Sequence, residues 1–151
     1  MSLGLKSRGF MSYLGTQFLG AFNDNAFRFA VIFVIQAVAV DEAEKGALFG
    51  LAQVLFALPF IVFAALAGSV ADRVSKSVVI RWSKVAEILV MLAGVAAFAT
   101  GELWLLLLVL LLMSTQSAFF GPAKYGYLAE TIGDKDLVRA NGLVQLTTMV
   151  A

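Results

Sequence analysis

The sequence predicts an all-α polytopic membrane protein, and three observations lead to that fold class. Of the 151 residues, 61% are hydrophobic and 14% are charged, and the mean hydropathy is +0.92. Apolar runs of about 20 residues recur, which is the length that an α-helix needs to cross a bilayer. Short polar segments separate these runs, and their basic residues concentrate in alternate segments. Together these features predict helices that pass through a membrane several times.

We predict four complete spans and the start of a fifth in one N-terminal bundle over residues 1–151. They cover residues 13–40, 47–70, 79–100 and 103–123, with the incomplete fifth at 139–151. Pro59 lies inside the second span, where a membrane helix tolerates proline if neighbouring groups satisfy the carbonyl that it frees. A longer loop is expected between the fourth and fifth spans. The fifth span reaches roughly 20 Å against a bilayer core of about 30 Å, so we expect the N-terminal part of a longer protein.

Basic residues are distributed unevenly between the polar segments. The segment after the first span is net acidic, and the one after the third carries only Glu102. The N-terminus and the two other segments hold Lys6, Arg8, Arg73, Lys76, Arg81, Lys84, Lys124, Lys135 and Arg139. The positive-inside rule places such segments in the cytoplasm, so we predict a cytoplasmic N-terminus. The first apolar stretch continues to about Val40, too far for a signal peptide, and is interpreted as a retained helix.

The composition also excludes several kinds of chemistry. Cysteine is absent, which excludes disulfides and thiol chemistry. Histidine is absent as well, which removes the commonest general base and the commonest metal ligand. The net charge of +1 gives no argument for a nucleic-acid partner. We therefore predict a non-enzymatic chain without a metal site or a cofactor.

Ionisable residues inside the predicted spans are candidate functional groups, because a charge in a membrane must face protein or water. On a helix, Gln17, Asp24 and Arg28 lie within roughly 40° of one another, and Asp24 is near the middle of the first span. Either Asp24 and Arg28 pair across one turn and fix helix contacts, or this face lines a transport cavity. The asparagines beside Asp24 point away and are expected to bond to neighbouring helices. Glu87 is expected to pair with Lys84 near the cytoplasmic surface.

The polar segment GSVADRVSKSVVI, residues 68–80, lies between the second and third predicted spans. Gly68 permits a close helix crossing, and Asp72 can accept hydrogen bonds from a helix N-terminus. Arg73 and Lys76 place positive charge on the cytoplasmic side. The residues alone leave two interpretations open, a solvated basic loop and a specific contact site.

A further candidate group lies at the end of the fourth span. Gly121 and Pro122 are expected to break or bend the helix there, which makes room for a headgroup. Lys124 follows them, and it either snorkels at the interface, attracts a lipid phosphate as a point charge, or forms an ion pair in gating. Gln116 and Ser117, about two turns deeper, can add hydrogen bonds to a headgroup or to another helix.

The segment from residue 68 resembles the loop signature of the major facilitator superfamily, whose pattern is G-x-L-A-D-R-x-G-R-K. The matching residues are Gly68, Ala71, Asp72, Arg73 and Lys76, and Val70 conservatively replaces the leucine. Ser75 and Ser77 stand where a glycine and a basic residue are usual. The resemblance implies the N-terminal part of a facilitator bundle. It also implies that the motif gates the cytoplasmic side by contacting a helix of the other half.

Two other segments, QFLGAFNDNAFRFAV and FFGPAKYGYLAE, resemble bacterial lysophospholipid transporters and the membrane part of transporter–acyltransferase fusions. The resemblance implies lysophospholipid movement to the cytoplasmic leaflet of the inner membrane by alternating access, with the remaining transporter helices and an acyltransferase as partners. The candidate substrate-binding residues are Asp24, Arg28, Gln17, Lys124 and Gln116. Two alternatives stay open, a facilitator for drugs or small solutes and the membrane part of a fused acyltransferase. The histidine–aspartate motif of such acyltransferases cannot occur in a chain without histidine.

Overall fold

Six α-helices make up the part of the chain that the computed structural model describes, residues 4–151. They are α1 (Arg8–Val38), α2 (Glu42–Val62), α3 (Ala64–Arg73), α4 (Lys76–Thr100), α5 (Leu103–Thr131) and α6 (Asp134–Val150). The all-α class is therefore confirmed. By length and composition, α1, α2 and α5 can each cross a membrane. The number of spans stays a prediction, as do their limits, because a helix can extend beyond the bilayer.

Residues typical of helix ends lie at the first or last turn of several of these helices. The Ser7 hydroxyl accepts a hydrogen bond from the Phe10 amide at 3.2 Å, and Asp41 Oδ1 accepts one from the Glu44 amide at 2.7 Å. Side chains at these cap positions satisfy amides that the first helical turn leaves without partners. α4 ends at Gly101, whose φ of 72° lies in the left-handed region that glycine adopts without strain.

Helix α5 is the central element, because it contacts each of the other five helices. Its side chains Leu106, Leu110 and Met113 are almost completely buried, and Val31 and Ile35 of α1 belong to the same apolar core. Large apolar residues also cover much of the outer surface, as expected for a protein whose surroundings are lipid. The polar groups described below therefore lie inside a bundle that is apolar on its outside as well as in its core.

The second predicted span consists of two helices rather than one. α2 ends at Val62 and α3 begins at Ala64, with Phe63 between them. Pro59 removes the amide that would bond to the carbonyl of Leu55 four residues earlier. The Ser114 hydroxyl of α5 lies 3.0 Å from that carbonyl and 3.0 Å from the Leu110 carbonyl of its own helix, and its one hydrogen bonds fully to only one of them at a time. A neighbouring helix thus offers the hydrogen bond that a membrane proline requires.

The predicted loop after the fourth span is wrong. α5 continues to Thr131 and α6 begins at Asp134, so most of this segment is helical. The expected break at Gly121 and Pro122 does not occur, since α5 is continuous through both residues, while a bend there stays a prediction. Polar residues indicate that a segment lies in water rather than in lipid, but they do not indicate whether it is a loop or a helix. A proline inside a helix removes only one backbone hydrogen bond, so the helix can continue through it.

Glycine sets the distance between α1 and α4 near the middle of the bundle. A Cβ atom at Gly94 would lie 2.8 Å from Phe27 Cε2 and 3.4 Å from Val109 Cγ1. The Phe27 ring of α1 therefore packs directly against the backbone of α4, where no larger residue fits. This contact brings α1 close enough to α4 for their polar side chains to share one cavity.

Candidate functional site

A cavity of about 180 Å³ lies between α1, α4 and α5, with Phe60 of α2 and Thr148 of α6 on its border. Four of the five predicted substrate-binding residues line it: Gln17, Asp24, Gln116 and Lys124. Lys84, Glu87 and Ser117 complete its polar wall. Arg28 does not line this cavity. The structure therefore brings together most of the predicted site residues and places one of them elsewhere.

Asp24 connects α1 to α5. The Ser117 hydroxyl donates to Asp24 Oδ2 at 2.6 Å, and it also lies 3.2 Å from Gln116 Oε1. A hydroxyl has one hydrogen, so it bonds fully to only one of these oxygens at a time. Asp24 Oδ1 is buried and has no hydrogen-bond partner among residues 4–151. One carboxylate oxygen is thus fixed, and the other is available to a ligand.

The predicted ion pair between Asp24 and Arg28 is absent from the described chain. Spacing of four residues permits such a pair, but tertiary contacts turn the two side chains apart. Asp24 bonds to Ser117 of α5, whereas the Arg28 guanidinium carbon lies 4.9 Å from the ring centroid of Phe56 in α2. Of the two interpretations for this face, the structure removes the intrahelical pair.

Gln17 reaches α6, the helix furthest from it in sequence. Its Nε2 donates to Thr148 Oγ1 at 2.9 Å, and the residue is only 3% exposed. Its Oε1 is buried without a hydrogen-bond partner among the described residues. Thr148 was not among the predicted site residues, because nothing in the spacing within α6 indicates a partner in α1.

Lys84 and Glu87 form the expected ion pair, with 2.5 Å between Lys84 Nζ and Glu87 Oε2. The prediction did not place this pair in the cavity wall, where Lys84 Nζ lies 4.6 Å from the ring centroid of Phe120. A Cβ atom at Gly20 would overlap Lys84 Nζ. The buried backbone of α1 at Gly20 is therefore in direct contact with the charged pair of α4.

Lys124 is a buried cation at one end of the cavity. It is 8% exposed, and its ammonium lies 4.8 Å from the ring centroid of Tyr125. Within residues 4–151 the ammonium has no acidic partner within 4.0 Å and no hydrogen bond. Its backbone carbonyl accepts a hydrogen bond from the Tyr13 hydroxyl at 2.9 Å, which fixes the position of α5 against α1. Lys124 therefore provides a positive charge that no described acidic side chain neutralises.

The basic loop motif contacts α5 through the ion pair of Lys76 and through Ala71, which belongs to one buried cluster with Ala123. Lys76 Nζ lies 2.7 Å from Glu130 Oε1, and the aliphatic part of Lys76 packs over Gly126, where a Cβ would be 3.2 Å from Lys76 Cε. Lys76 thus connects the start of α4 to the last turns of α5. Arg73 is exposed at the end of α3.

Two contacts that the motif permits do not form within residues 4–151. A Cβ at Gly68 would meet no described atom within 4 Å, so no described helix crosses closely there. Asp72 is exposed and accepts no hydrogen bond from residues 4–151, and the cap position of α4, Ser75, makes no side-chain capping bond. The segment turns between α3 and α4 without bringing Asp72 to the start of α4.

Comparisons with known proteins agree with these features. A profile described as Major Facilitator Superfamily matches residues 13–151. The chain is 36% identical over 146 residues to the lysophospholipid transporter LplT of Citrobacter koseri, covering 96% of this chain and 34% of that protein. It is 36% identical over 149 residues to the LplT of Klebsiella pneumoniae and 32% identical over 147 residues to that of Photorhabdus laumondii, each covering 97% of this chain and 34% of the relative. The chain thus spans about a third of the length of these relatives. No solved structure matches it significantly.

Proposed function

This chain belongs to the major facilitator superfamily, and from that premise we propose that it forms part of a lysophospholipid transporter of the bacterial inner membrane. The observation that carries the proposal is the cavity, in which Asp24 lies together with Lys124, a cation without an acidic partner among residues 4–151, inside an apolar bundle. The relatives named as lysophospholipid transporters support the choice of substrate. Alternating access fits the general design of facilitators, whose substrate site lies between two halves that rock about it.

The cavity offers complementary groups for a charged headgroup. Lys124 can attract the phosphate as a point charge. The free Oδ1 of Asp24 and Oε1 of Gln17 can accept hydrogen bonds from an ammonium or hydroxyl group of the headgroup. Gln116, which is 9% exposed, adds an amide at the same wall. The acyl chain then extends toward the apolar surfaces of the bundle, so a single amphiphile matches both the polar cavity and the apolar surface.

The competing functions differ in chemistry. A facilitator for drugs or small solutes needs no phosphate-binding cation. Lys124 has no acidic partner in the described part of the chain, which favours the phospholipid. An acyltransferase, if one is fused to the transporter, lies outside this chain, and we expect no acyl transfer by these 151 residues. The partners in this proposal are the lysophospholipid, the bilayer and the remaining helices of the transporter, with an acyltransferase that consumes the product on the cytoplasmic side.

Uptake by the full-length transporter in sealed lipid vesicles tests the function. We expect labelled lysophospholipid to enter the inner leaflet faster than in protein-free vesicles, and unlabelled lysophospholipid to compete. A two-chain phospholipid is the matched control and is expected to compete weakly, because the cavity leaves room for one headgroup and the second chain adds bulk. Uptake that small solutes block, and that lysophospholipid leaves unchanged, would contradict the proposal.

We further propose that the motif of Gly68, Asp72, Arg73 and Lys76 belongs to the cytoplasmic gate, with the N-terminus of α1 in the cytoplasm. The ion pair between Lys76 and Glu130 supports this role, because it joins the ends of α4 and α5 on the side with the basic segments. Nothing in the described chain contacts Asp72 or Gly68 in the same way, so any gating contact of theirs involves other helices of the transporter.

Neutralising the Lys76–Glu130 pair is expected to change transport modestly. The Glu130 side chain is 56% exposed, and an exposed pair is worth about 0.2–1 kcal/mol, which corresponds to at most about a fivefold change in rate. We expect Lys76→Gln and Glu130→Gln to have similar effects, and the exchange Lys76→Glu/Glu130→Lys to restore uptake. Lys45→Gln, which breaks the Lys45–Glu42 pair within α2, is the matched control without effect. Independent, additive effects of the Lys76 and Glu130 variants would show that the pair does not act in gating.

A further inference from the structure

Arg28 is a cation in the middle of α1 whose role the cavity does not explain. Its guanidinium carbon lies 4.9 Å from the ring centroid of Phe56 and 5.5 Å from that of Phe29. Its Nε is buried and has no hydrogen-bond partner among residues 4–151, and no described acidic group lies within 4.0 Å of it. Charged groups inside membrane helices are costly and are retained with a partner or a ligand.

The position of Arg28 separates it from the headgroup cavity. Along α1 it lies one turn beyond Asp24, which is about 6 Å. Asp24 bonds to Ser117 of α5, and Lys124 lies seven residues further along α5, or about 10 Å in the opposite direction. The Cα atoms of Arg28 and Lys124 are therefore roughly 16 Å apart along the bundle axis, with the Asp24–Ser117 bond between their levels. Arg28 also lies outside the cavity that Lys124 lines, so the two residues provide separate positions for a phosphate.

The aromatic contacts of Arg28 supply no oxygen acceptor to its N–H groups. A guanidinium carries five N–H donors in one plane. Those N–H groups form a fork that matches two oxygens of a phosphate. Phe56 therefore partly shields the cation but does not supply the oxygens that its donors require.

We propose that Arg28 forms a second phosphate-binding station, which holds the headgroup of a lysophospholipid on the extracytoplasmic side of Asp24. The inference rests on the proposed function and adds an order of events to it. During uptake the phosphate binds Arg28 first and then passes Asp24 to reach Lys124. The opposite charge of Asp24 lies between the two cations, and it prevents the phosphate from resting midway.

The test compares initial uptake rates of the full-length transporter in vesicles over a range of lysophospholipid concentrations. We expect Arg28→Gln to raise the KM about tenfold, because the variant loses a hydrogen bond between two charged groups, with a much smaller change in the maximal rate. Arg28→Lys keeps the charge and is expected to restore at least half of the loss.

The outcomes of this experiment distinguish failure of the proposed function from failure of the inference about Arg28. If wild-type protein shows no lysophospholipid uptake, the proposed function fails and this inference fails with it. If wild-type protein is active and Arg28→Gln leaves the KM unchanged, only the inference is wrong. A fall in maximal rate alone, with the KM unchanged in both Arg28→Gln and Arg28→Lys, would show that Arg28 does not bind the headgroup and would also overturn the inference. Thermal unfolding of each purified variant checks that the changes do not arise from instability.

Discussion

Replacing Asp24 by asparagine is expected to lower lysophospholipid uptake by the full-length transporter about tenfold or more, while membrane insertion stays normal. Asparagine has nearly the same shape and retains an oxygen that can accept the Ser117 hydrogen bond now made at 2.6 Å. The change therefore removes the charge and one acceptor position without emptying the site. Hydrogen bonds to charged groups are worth about 1.5–3 kcal/mol, and each 1.4 kcal/mol is about tenfold. Vesicle uptake measured at equal amounts of inserted protein checks this result.

Ser117→Ala is the matched control for Asp24→Asn. It removes the hydroxyl that fixes Asp24 Oδ2 but leaves the carboxylate charge in the cavity. We expect a smaller loss of uptake, about threefold, because a typical hydrogen bond contributes about 0.5–1.5 kcal/mol. Normal transport by Asp24→Asn would show that Asp24 serves only to pack α1 against α5.

Replacing Lys124 by alanine is expected to weaken transport of anionic headgroups more than that of zwitterionic ones. Lys124 is buried, and its ammonium has no acidic partner among the described residues. An anionic headgroup depends on this charge for neutralisation, whereas a zwitterionic one carries its own cation. We expect about a tenfold loss for a glycerol-phosphate headgroup and about threefold or less for an ethanolamine-phosphate headgroup, from the range for charge-assisted bonds.

Lys124→Arg separates charge from shape in the same uptake assay. Arginine retains the positive charge, so we expect it to keep the headgroup preference of the wild type even if the overall rate falls. Equal losses for both headgroups in Lys124→Ala would indicate a gating or topological role. The bond from the Tyr13 hydroxyl to the Lys124 carbonyl does not depend on the side chain, so helix packing is expected to survive both replacements.

The sequence was sufficient to predict the class of fold, because the hydropathy of a segment indicates directly whether that segment lies in a membrane. The first predicted span, residues 13–40, corresponds closely to α1, which covers Arg8–Val38. The prediction failed where helices leave the apolar region. The end of α5 from Lys124 to Thr131 is polar enough to resemble a loop, yet its backbone hydrogen bonds form within the helix regardless of the solvent.

The sequence predicted those features of the candidate site that depend on the spacing of residues within one helix. Spacing placed Gln17 and Asp24 on a common face, and both line the cavity. The partners that orient them, Thr148 and Ser117, come from α6 and α5 and depend on how those helices pack. For the same reason the spacing of Asp24 and Arg28 suggested a pair, whereas the packing of α2 and α5 directs them apart.

The four ionisable residues that line the cavity have a consequence for energy coupling. Asp24 and Glu87 carry two formal negative charges, and Lys84 and Lys124 carry two positive charges, so the described lining is electroneutral. A zwitterionic lysophospholipid leaves the loaded cavity neutral, and its passage moves no net charge across the membrane. An anionic lysophospholipid carries one net negative charge, and at about 2.3 kcal/mol per charge per 100 mV an inside-negative membrane potential opposes its inward movement. In the proposed transport, the uptake of anionic lipids is therefore expected to slow as this potential rises, whereas the uptake of zwitterionic lipids is not.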